Sequence, residues 1–270
     1  MALVGIIANP AASKDIRRLV AQGRVVADWE KVNIIQRVLL GLEAAGIQRV
    51  AAMPDSSHLV ERARDDPQLS LDLEMIKMPT FYGEGDTIRA SAMMGDMGVD
   101  CLVTLGGDGT NRAVARGCCS IPLVPISTGT NNVFPAMREA TIAGLAAGLV
   151  ATGQVPVAEG SVRNKVLRVD INGVQSDLAL VDLCTSTALW IGSRALWKAD
   201  GLDQLFRVHH QGPLGGQFRF LARLRVERPQ FLQRMGDIVP VAARRFHVGL
   251  GLAAHFHRVP PPGIPGSGFF

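Results

Sequence analysis

Residues 101–111 read Cys101-Leu102-Val103-Thr104-Leu105-Gly106-Gly107-Asp108-Gly109-Thr110-Asn111. An apolar run that reads as a buried strand passes into a turn with three glycines around one carboxylate. Glycine lets the backbone take positive φ and lets another group approach closely, and the N–H groups of such a turn can converge on phosphate oxygens. A carboxylate repels phosphate, so Asp108 needs its own chemistry: accepting a proton from a hydroxyl, or holding a metal ion or a ribose hydroxyl. Taken alone, Gly-Gly-Asp-Gly is also an ordinary tight turn. The surrounding chain decides between the two.

Two further polar loops follow apolar runs. Leu3–Ala8 leads into Asn9-Pro10-Ala11-Ala12-Ser13-Lys14, and Leu123–Ile126 leads into Ser127-Thr128-Gly129-Thr130-Asn131-Asn132. Between the strands lie helical patterns. Val32–Ala45 carries Val32, Ile35, Val38, Leu39 and Leu42 on one face, with Gly46 as its C′ residue. Leu59–Asp66 is a short helix stopped by Pro67. Asp86 caps a helix over Thr87–Met97 that ends at Gly98, and Ala136–Thr152 is mostly helical. Gln48–Met53 is a strand and Leu71–Lys77 an edge strand. Strands alternating with helices predict βαβ units and a parallel sheet, and ligands of such sheets bind at the carboxyl ends of the strands. All three loops belong to that edge. Lys14 stands where the first loop opens into a helix and is a phosphate candidate. Arg17 and Arg18 beside it read as a solvated helix face.

The 270 residues divide into an α/β nucleotide-binding domain over 1–152 and a β-rich domain over 153–270. In the second, Val162–Asp170 and Val174–Leu183 flank Asn172-Gly173, a strong hairpin signal. Asp182, near the end of the second of these strands, is a strand-end carboxylate or a substrate contact. Arg194 and Lys198 read as core or surface positions. No apolar run reaches the roughly 18–20 residues of a membrane helix. The N-terminus has neither a basic region nor a cleavage pattern, which predicts no secretory signal and a cytoplasmic location. The cysteines, Cys101, Cys118, Cys119 and Cys184, lack Cys-x-x-Cys spacing and read as buried thiols of a reducing compartment.

The net charge of +4 comes from the end of the chain. Residues 210–270 hold eight Arg and no Lys against Glu227 and Asp237, which leaves the preceding residues at −2. The basic balance therefore does not predict nucleic-acid binding by the body of the protein. The same tail holds seven of the ten Phe and seven of the fifteen Pro, and shows no strand alternation after Val208. It reads as a divergent ending, or one out of frame with the rest, that truncates the second domain. His255 and His257 lack the further ligands of a metal site.

Neither Gly-x-x-x-x-Gly-Lys-Ser/Thr nor Gly-x-Gly-x-x-Gly after the first strand is present, which disfavours a P-loop enzyme and an ordinary dinucleotide dehydrogenase. On Leu105-Gly106-Gly107-Asp108-Gly109-Thr110 and the segment from Asp86 to Asp100, the chain instead resembles the NAD kinase and diacylglycerol kinase superfamily. On Asn9-Pro10, Lys14–Leu19 and Gly129–Pro135 it resembles in particular the X-type proteins encoded with acetoin-catabolism enzymes. The likeness runs over roughly residues 3–207.

The resemblance implies a Rossmann-like parallel-sheet domain, a β-rich domain and an active site between them. It implies Mg²⁺-assisted transfer of the γ-phosphoryl of ATP, or of polyphosphate, to a hydroxyl, with the 2′-hydroxyl of NAD as the leading acceptor. Asp108 would deprotonate or orient that hydroxyl. Gly106, Gly107, Gly109 and Thr110 would line the phosphates and Asn9 would contact the same nucleotide from the first loop; Lys14, Asn111, Thr128, Gly129, Thr130, Asn131 and Asn132 are further binding candidates from their places on the three loops. No dedicated protein ligand for a metal is assigned. The Asn-Glu pair by which NAD kinases recognise the dinucleotide is missing, and the first loop has Ala11-Ala12-Ser13 where lipid kinases carry glycine. A lipid or small-alcohol kinase and a nucleotide-binding accessory protein without turnover are the alternatives. The expected partners are nucleotides and small molecules, with no nucleic acid and no membrane; a homo-oligomer is compatible with the chain.

Overall fold

The computed structural model describes residues 1–14, 24–118, 120–129, 132–171 and 174–186, together with 202–207 and 246–249; for 171, 174–176, 186, 202–207 and 246–249 the description is of the backbone. Strands β1 (Leu3–Ala8), β2 (Arg49–Ala52), β3 (Asp72–Met75), β4 (Cys101–Gly106) and β5 (Leu123–Ser127) form one sheet in the order β3-β2-β1-β4-β5. Every pairing is parallel. The expected edge strand, β3, does lie on the edge. Helices α1 (Asp28–Ala44), α2 (Leu59–Arg64), α3 (Glu84–Asp96), α4 (Asp108–Gly117) and α5 (Ala140–Ala151) run between or after the strands.

Both faces of the sheet are covered, as all-parallel sheets require. Val4, Ile6 and Ala8 of β1 pack with α1, α2 and α5, whereas Leu3 and Ile7 pack with Ala90 and Met94 of α3 and Val114 of α4. The alternation along β1 thus separates two apolar layers with the sheet between them. Helices α1 and α5 approach so closely that a Cβ on Gly144 would lie 2.1 Å from the Val38 carbonyl oxygen, and one on Gly41 would lie 2.2 Å from that of Thr141.

The helix ends follow local chemistry. Gly46 has φ +86°; its N–H donates to the Glu43 carbonyl, and the Ile47 N–H donates to that of Leu42. Gly98 (φ +73°) and Val99 repeat this at the end of α3, on Gly95 and Met94. Both are Schellman motifs at the two glycines expected to end these helices.

Two helix starts differ from expectation. Asp86 lies inside the first turn of α3, and its carboxylate reaches back to accept the N–H groups of Phe81 (2.7 Å) and Tyr82 (2.6 Å). Burial opposes its ionisation, but these donors and Arg89 hold it below the usual carboxylate range. Helix α5 starts at Ala140, not Ala136, because the Ser127 N–H donates to the Ala136 carbonyl and keeps that residue extended beside β5. Glu139 then caps the helix by accepting the Ile142 N–H.

Beyond the short helix α6 (Val157–Gly160), β6 (Leu167–Ile171) and β7 (Val174–Ala179) pair antiparallel, as the hairpin signal predicts. The turn at Asn172-Gly173 and the helix expected after Lys14, with Arg17 and Arg18, lie outside the described residues. The expected second hairpin strand ends early: the chain breaks at Leu180-Val181, and Asp182 starts a new strand, β8 (Asp182–Ser186), instead of ending an old one. β8 lies between β9 (Leu202–Arg207) and β10 (Phe246–Gly249), antiparallel to both. The tail therefore supplies one described strand where no alternation is legible, since four residues are too few for a period of two to show. Arg194, Lys198, His255 and His257 lie outside the described residues.

Candidate functional site

The order β3-β2-β1-β4-β5 reverses direction between β1 and β4. The crevice beyond the carboxyl ends of such a pair of strands is where doubly wound sheets bind ligands. The first loop leaves β1 and the Gly106–Asp108 loop leaves β4 at this point, and they are hydrogen-bonded to each other. The Asn9 N–H donates to the Leu105 carbonyl (2.9 Å), and the Asn9 side-chain amide donates to the Thr110 hydroxyl (2.9 Å). The other end of that amide, Oδ1, accepts the Ala11 N–H at 2.9 Å.

The glycines serve this closure. A Cβ on Gly106 would lie 2.4 Å from the Thr110 hydroxyl oxygen, and one on Gly107 would lie 2.8 Å from Oδ1 of Asn132. Gly107 stands in extended backbone as the N-cap of α4. Asn111, fully buried, donates to the Gly107 carbonyl (2.9 Å), and its oxygen meets the Thr104 hydroxyl at 2.7 Å. Its amide thus fastens the loop to β4 from beneath.

Asp108 is the first residue of α4, where a negative charge is favourable to the helix. Its carboxylate is 5% exposed and accepts the N–H groups of Val133 (3.1 Å) and Phe134 (2.8 Å). Phe134 in turn packs on Leu178, Leu180 and Val181 of the antiparallel region. One carboxylate therefore joins the β4 loop to the β5 loop, and the β5 loop touches the antiparallel region. The β5 loop is also bonded within itself. The Ser127 hydroxyl donates to the Gly129 carbonyl (2.6 Å) and accepts the Asn132 side-chain amide (2.8 Å). Thr128 is 2% exposed, and its buried hydroxyl has no partner among the described residues. Thr130 and Asn131 lie outside them.

Lys14 turns elsewhere. Its ammonium meets the Asp28 carboxylate of α1 at 2.6 Å. Burial works to raise Asp28, but hydrogen bonds from Lys14 and Ser57 and the charges of Lys14 and Lys31 outweigh it and hold Asp28 below its ordinary value. Sequence reasoning missed Lys31. It is fully buried, and its ammonium donates to the carbonyls of Pro10 (2.7 Å) and Ala12 (2.9 Å) in the first loop. Burial lowers its pKa to about 8, with help from the Lys14 charge and against the carboxylates of Asp28 and Asp55. A signal was available: positions 31, 35, 38 and 42 form one stripe of α1, so the apolar face continues onto Lys31.

Arg112, one turn after Asp108 on α4, links this helix to β7 and to the start of α3. Nε donates to the Leu178 carbonyl at 2.9 Å, one Nη meets Glu84 at 2.5 Å, and the other meets Asp177. Asp182 is fully buried. The Cys101 thiol is pushed up to about 12 and the Cys184 thiol is pushed up, in both cases by burial first. That matches inert buried thiols. A cavity of about 200 Å³ lined by Glu43, Gly46, Ile47, Gln48, Ser70 and Leu71 lies at the amino ends of β2 and β3, the opposite edge from the loops. Among the described residues, no three His, Cys, Asp or Glu side chains converge as a metal site, and no helix is long and apolar enough to cross a membrane.

Comparison with known proteins matches two segments of the chain to family models. Residues 4–155 match the ATP-NAD kinase N-terminal domain, and residues 165–211 match the acetoin catabolism protein X C-terminal domain. Acetoin catabolism protein X of Cupriavidus necator is 43% identical over 216 residues, which cover 76% of this chain and 60% of that protein. The chain thus spans about three fifths of that relative's length. Among solved structures, a diacylglycerol kinase of Bacillus anthracis strain Sterne aligns at 19% identity with a TM-score of 0.36, over 71% of this chain and 49% of that one. UDP-GlcNAc 2-epimerase of Neisseria meningitidis aligns at 10% identity with a TM-score of 0.31, over 59% and 45%.

Proposed function

Because the chain belongs to the ATP-NAD kinase family, we propose that it binds a nucleotide where the β1, β4 and β5 loops meet and transfers a phosphoryl group from ATP or polyphosphate to a hydroxyl, that of the NAD 2′ position first. The observation that carries the reading is the junction of the three loops: Asn9 bonded to Thr110, and Asp108 bonded to Val133 and Phe134. Phosphoryl transfer needs alignment and charge neutralisation more than covalent chemistry by the protein. The N-terminus of α4 and the glycine backbone at 106–109 supply dipoles that favour phosphate oxygens. Thr128 carries a buried hydroxyl suited to a ligand oxygen, with Gly129 and Asn132 beside it.

Asp108 orients the acceptor hydroxyl and takes its proton, a contribution of roughly 10²–10⁴-fold. Mg²⁺ would neutralise phosphate charge. It would be held mainly by substrate phosphates and water, since Mg²⁺ usually keeps several waters and no three His, Cys, Asp or Glu side chains converge among the described residues. The setting is the cytoplasm, and the partners are nucleotides and small molecules.

The test is a coupled assay of the purified protein with Mg²⁺, NAD, and ATP or polyphosphate, with Asp108→Asn as the control. NADP formation lost in the variant supports the reading. Absence of NADP with every donor rejects NAD as acceptor, and a screen of ATP consumption with lipid and small-alcohol acceptors then tests the wider reaction class. A second reading, a nucleotide-binding accessory protein of acetoin catabolism without turnover, is favoured by one observation: the Asp108 carboxylate already accepts two backbone N–H groups. It predicts ATP or NAD binding by calorimetry with no transfer to any acceptor.

A further inference from the structure

Lys31 stands outside the three loops, yet a continuous chain of hydrogen bonds leads from it to Thr110. Its ammonium donates to the Pro10 carbonyl at 2.7 Å. In a trans peptide the C=O and the N–H point in opposite directions, so fixing the Pro10 carbonyl also fixes the N–H of Ala11. That N–H donates to Oδ1 of Asn9 at 2.9 Å. With its oxygen held there, the Asn9 amide presents its nitrogen to the Thr110 hydroxyl, again at 2.9 Å. A second bond from Lys31, to the Ala12 carbonyl at 2.9 Å, fixes the next turn of the same loop. Asp28 on the same helix (3.7 Å), Lys14 from the loop and Asp55 after β2 are the charged groups that face it.

We propose that Lys31 is a positioning residue of the nucleotide site, which acts from beneath the first loop to orient the Asn9 amide toward Thr110 across the β1/β4 junction. A buried ammonium is costly to place and is kept where its donors are used. Here two of them hold the Pro10 and Ala12 carbonyls of the first loop from α1, and a lysine of full length is needed to reach both. The proposal rests on the nucleotide-site reading for its consequence in binding, but not for its consequence in the loop.

The experiment therefore has two arms on the full chain. Hydrogen exchange of the 9–14 segment is measured in the wild type, Lys31→Met, Asn9→Ala and the double variant, and Mg·ATP affinity is measured by calorimetry on the same four proteins. Methionine keeps about the length of the aliphatic stem and removes the ammonium. Loss of hydrogen bonds to a charged group predicts roughly tenfold faster exchange and roughly tenfold weaker ATP binding for Lys31→Met. The double variant should be no worse than the more damaging single one, because the two residues act in one chain.

Fully additive effects, or unchanged exchange over 9–14 in Lys31→Met, would overturn the proposal. If Lys31→Met does not fold, Lys31→Gln, which keeps a neutral donor, enters the same cycle with the same criteria. If the wild type binds no ATP, the nucleotide reading fails, and the exchange arm alone decides the role of Lys31.

Discussion

The Asn9 side-chain amide donates to the Thr110 hydroxyl at 2.9 Å, across the line where the strand order of the sheet reverses. The two residues are 101 positions apart in the chain, so the bond reports how the β1 and β4 loops are set against each other. Gly106 belongs to the same contact, because any Cβ there would strike Thr110.

Thr110→Val tests that bond with little change of shape. The valine keeps the methyl group and removes the acceptor of the Asn9 amide. The expected loss is about 1 kcal/mol of stability, the net worth of one hydrogen bond, read from urea unfolding. Nucleotide affinity should fall further than stability predicts, because the loops proposed to meet the phosphates lose their mutual register. Thr110→Ser should restore both. A valine variant with unchanged nucleotide affinity would separate this bond from the site.

Asp108 has one observed duty, accepting the Val133 and Phe134 N–H groups, and one proposed duty as base, and one substitution can divide them. Asp108→Asn retains a carbonyl oxygen for the Val133 and Phe134 N–H groups but removes the charge and the base. Turnover should fall by at least ~10²-fold, while stability falls by only about 1–2 kcal/mol from the weakened charge-assisted bonds. Asp108→Ala removes both duties, so its loss of stability should be larger and should include loosening of residues 132–134, read by hydrogen exchange. Full phosphoryl transfer by Asp108→Asn would exclude this residue as the base.

What the sequence makes legible divides along physical lines. The parallel sheet, its edge strand and the shared loop edge follow from apolar runs and from glycines whose caps are local, as Gly46 and Gly98 show. Features that depend on where another segment travels are not legible in the same way. Asp86 has the composition of a cap, yet it serves N–H groups behind it because the 79–83 loop folds back. Ala136–Glu139 has helical composition, yet a bond from Ser127 keeps Ala136 extended. In the site, the three loops and Asp108 are legible, because glycine beside a carboxylate after a strand is a local signal. Lys31 is not, because a charged residue on an apolar stripe is read as an interruption until the carbonyls it meets are known. The partner of Lys14 is hidden for the same reason: Asp28 lies fourteen residues away and meets it only through the fold.

Lys31 also predicts a dependence on pH with two opposite signs. Its folded pKa of about 8 lies below the ordinary 10.5. Below about pH 8 the lysine is protonated in both the folded and the unfolded chain. Between about 8 and 10.5 the unfolded chain binds more protons, so the contribution of this group to stability rises with pH. Over the same window the ammonium is lost from the folded protein, and its bonds to Pro10 and Ala12 weaken. Nucleotide affinity should therefore decline above about pH 8 while thermal stability does not decline through this group. Lys31→Met should flatten both effects. Paired titrations of the melting temperature and of the ATP dissociation constant between pH 7 and 10 check this, and parallel loss of both in the wild type would contradict it. On the acid side the depressed Asp28 has the usual carboxylate sign: its contribution is present above about pH 3.8 and is lost as the pH falls through its lower folded value.

Arg112 gives the test of how α4 is held to the antiparallel strands. Its side chain is 12% exposed and makes three contacts in different directions: the Leu178 carbonyl, Asp177 and Glu84. Arg116, a turn further on, lies 3.5 Å from both carboxylates, so two cations and two anions share one cluster. A guanidinium can serve three partners at once because its donors form a rigid fork, whereas a lysine ammonium of similar reach is a point charge. Arg112→Lys should therefore recover little of what Arg112→Met loses. Removing one member of a largely buried pair leaves the others uncompensated, and the expected cost for Arg112→Met is about 2–4 kcal/mol, read from urea unfolding. Asp177→Asn in that background should cost less than it does alone, since the two share one interaction. Because α4 begins at Asp108, the Arg112→Met variant should also lower turnover without changing the pH profile of the reaction. A lysine variant with full stability would show that charge alone, without the fork, joins α4 to β7.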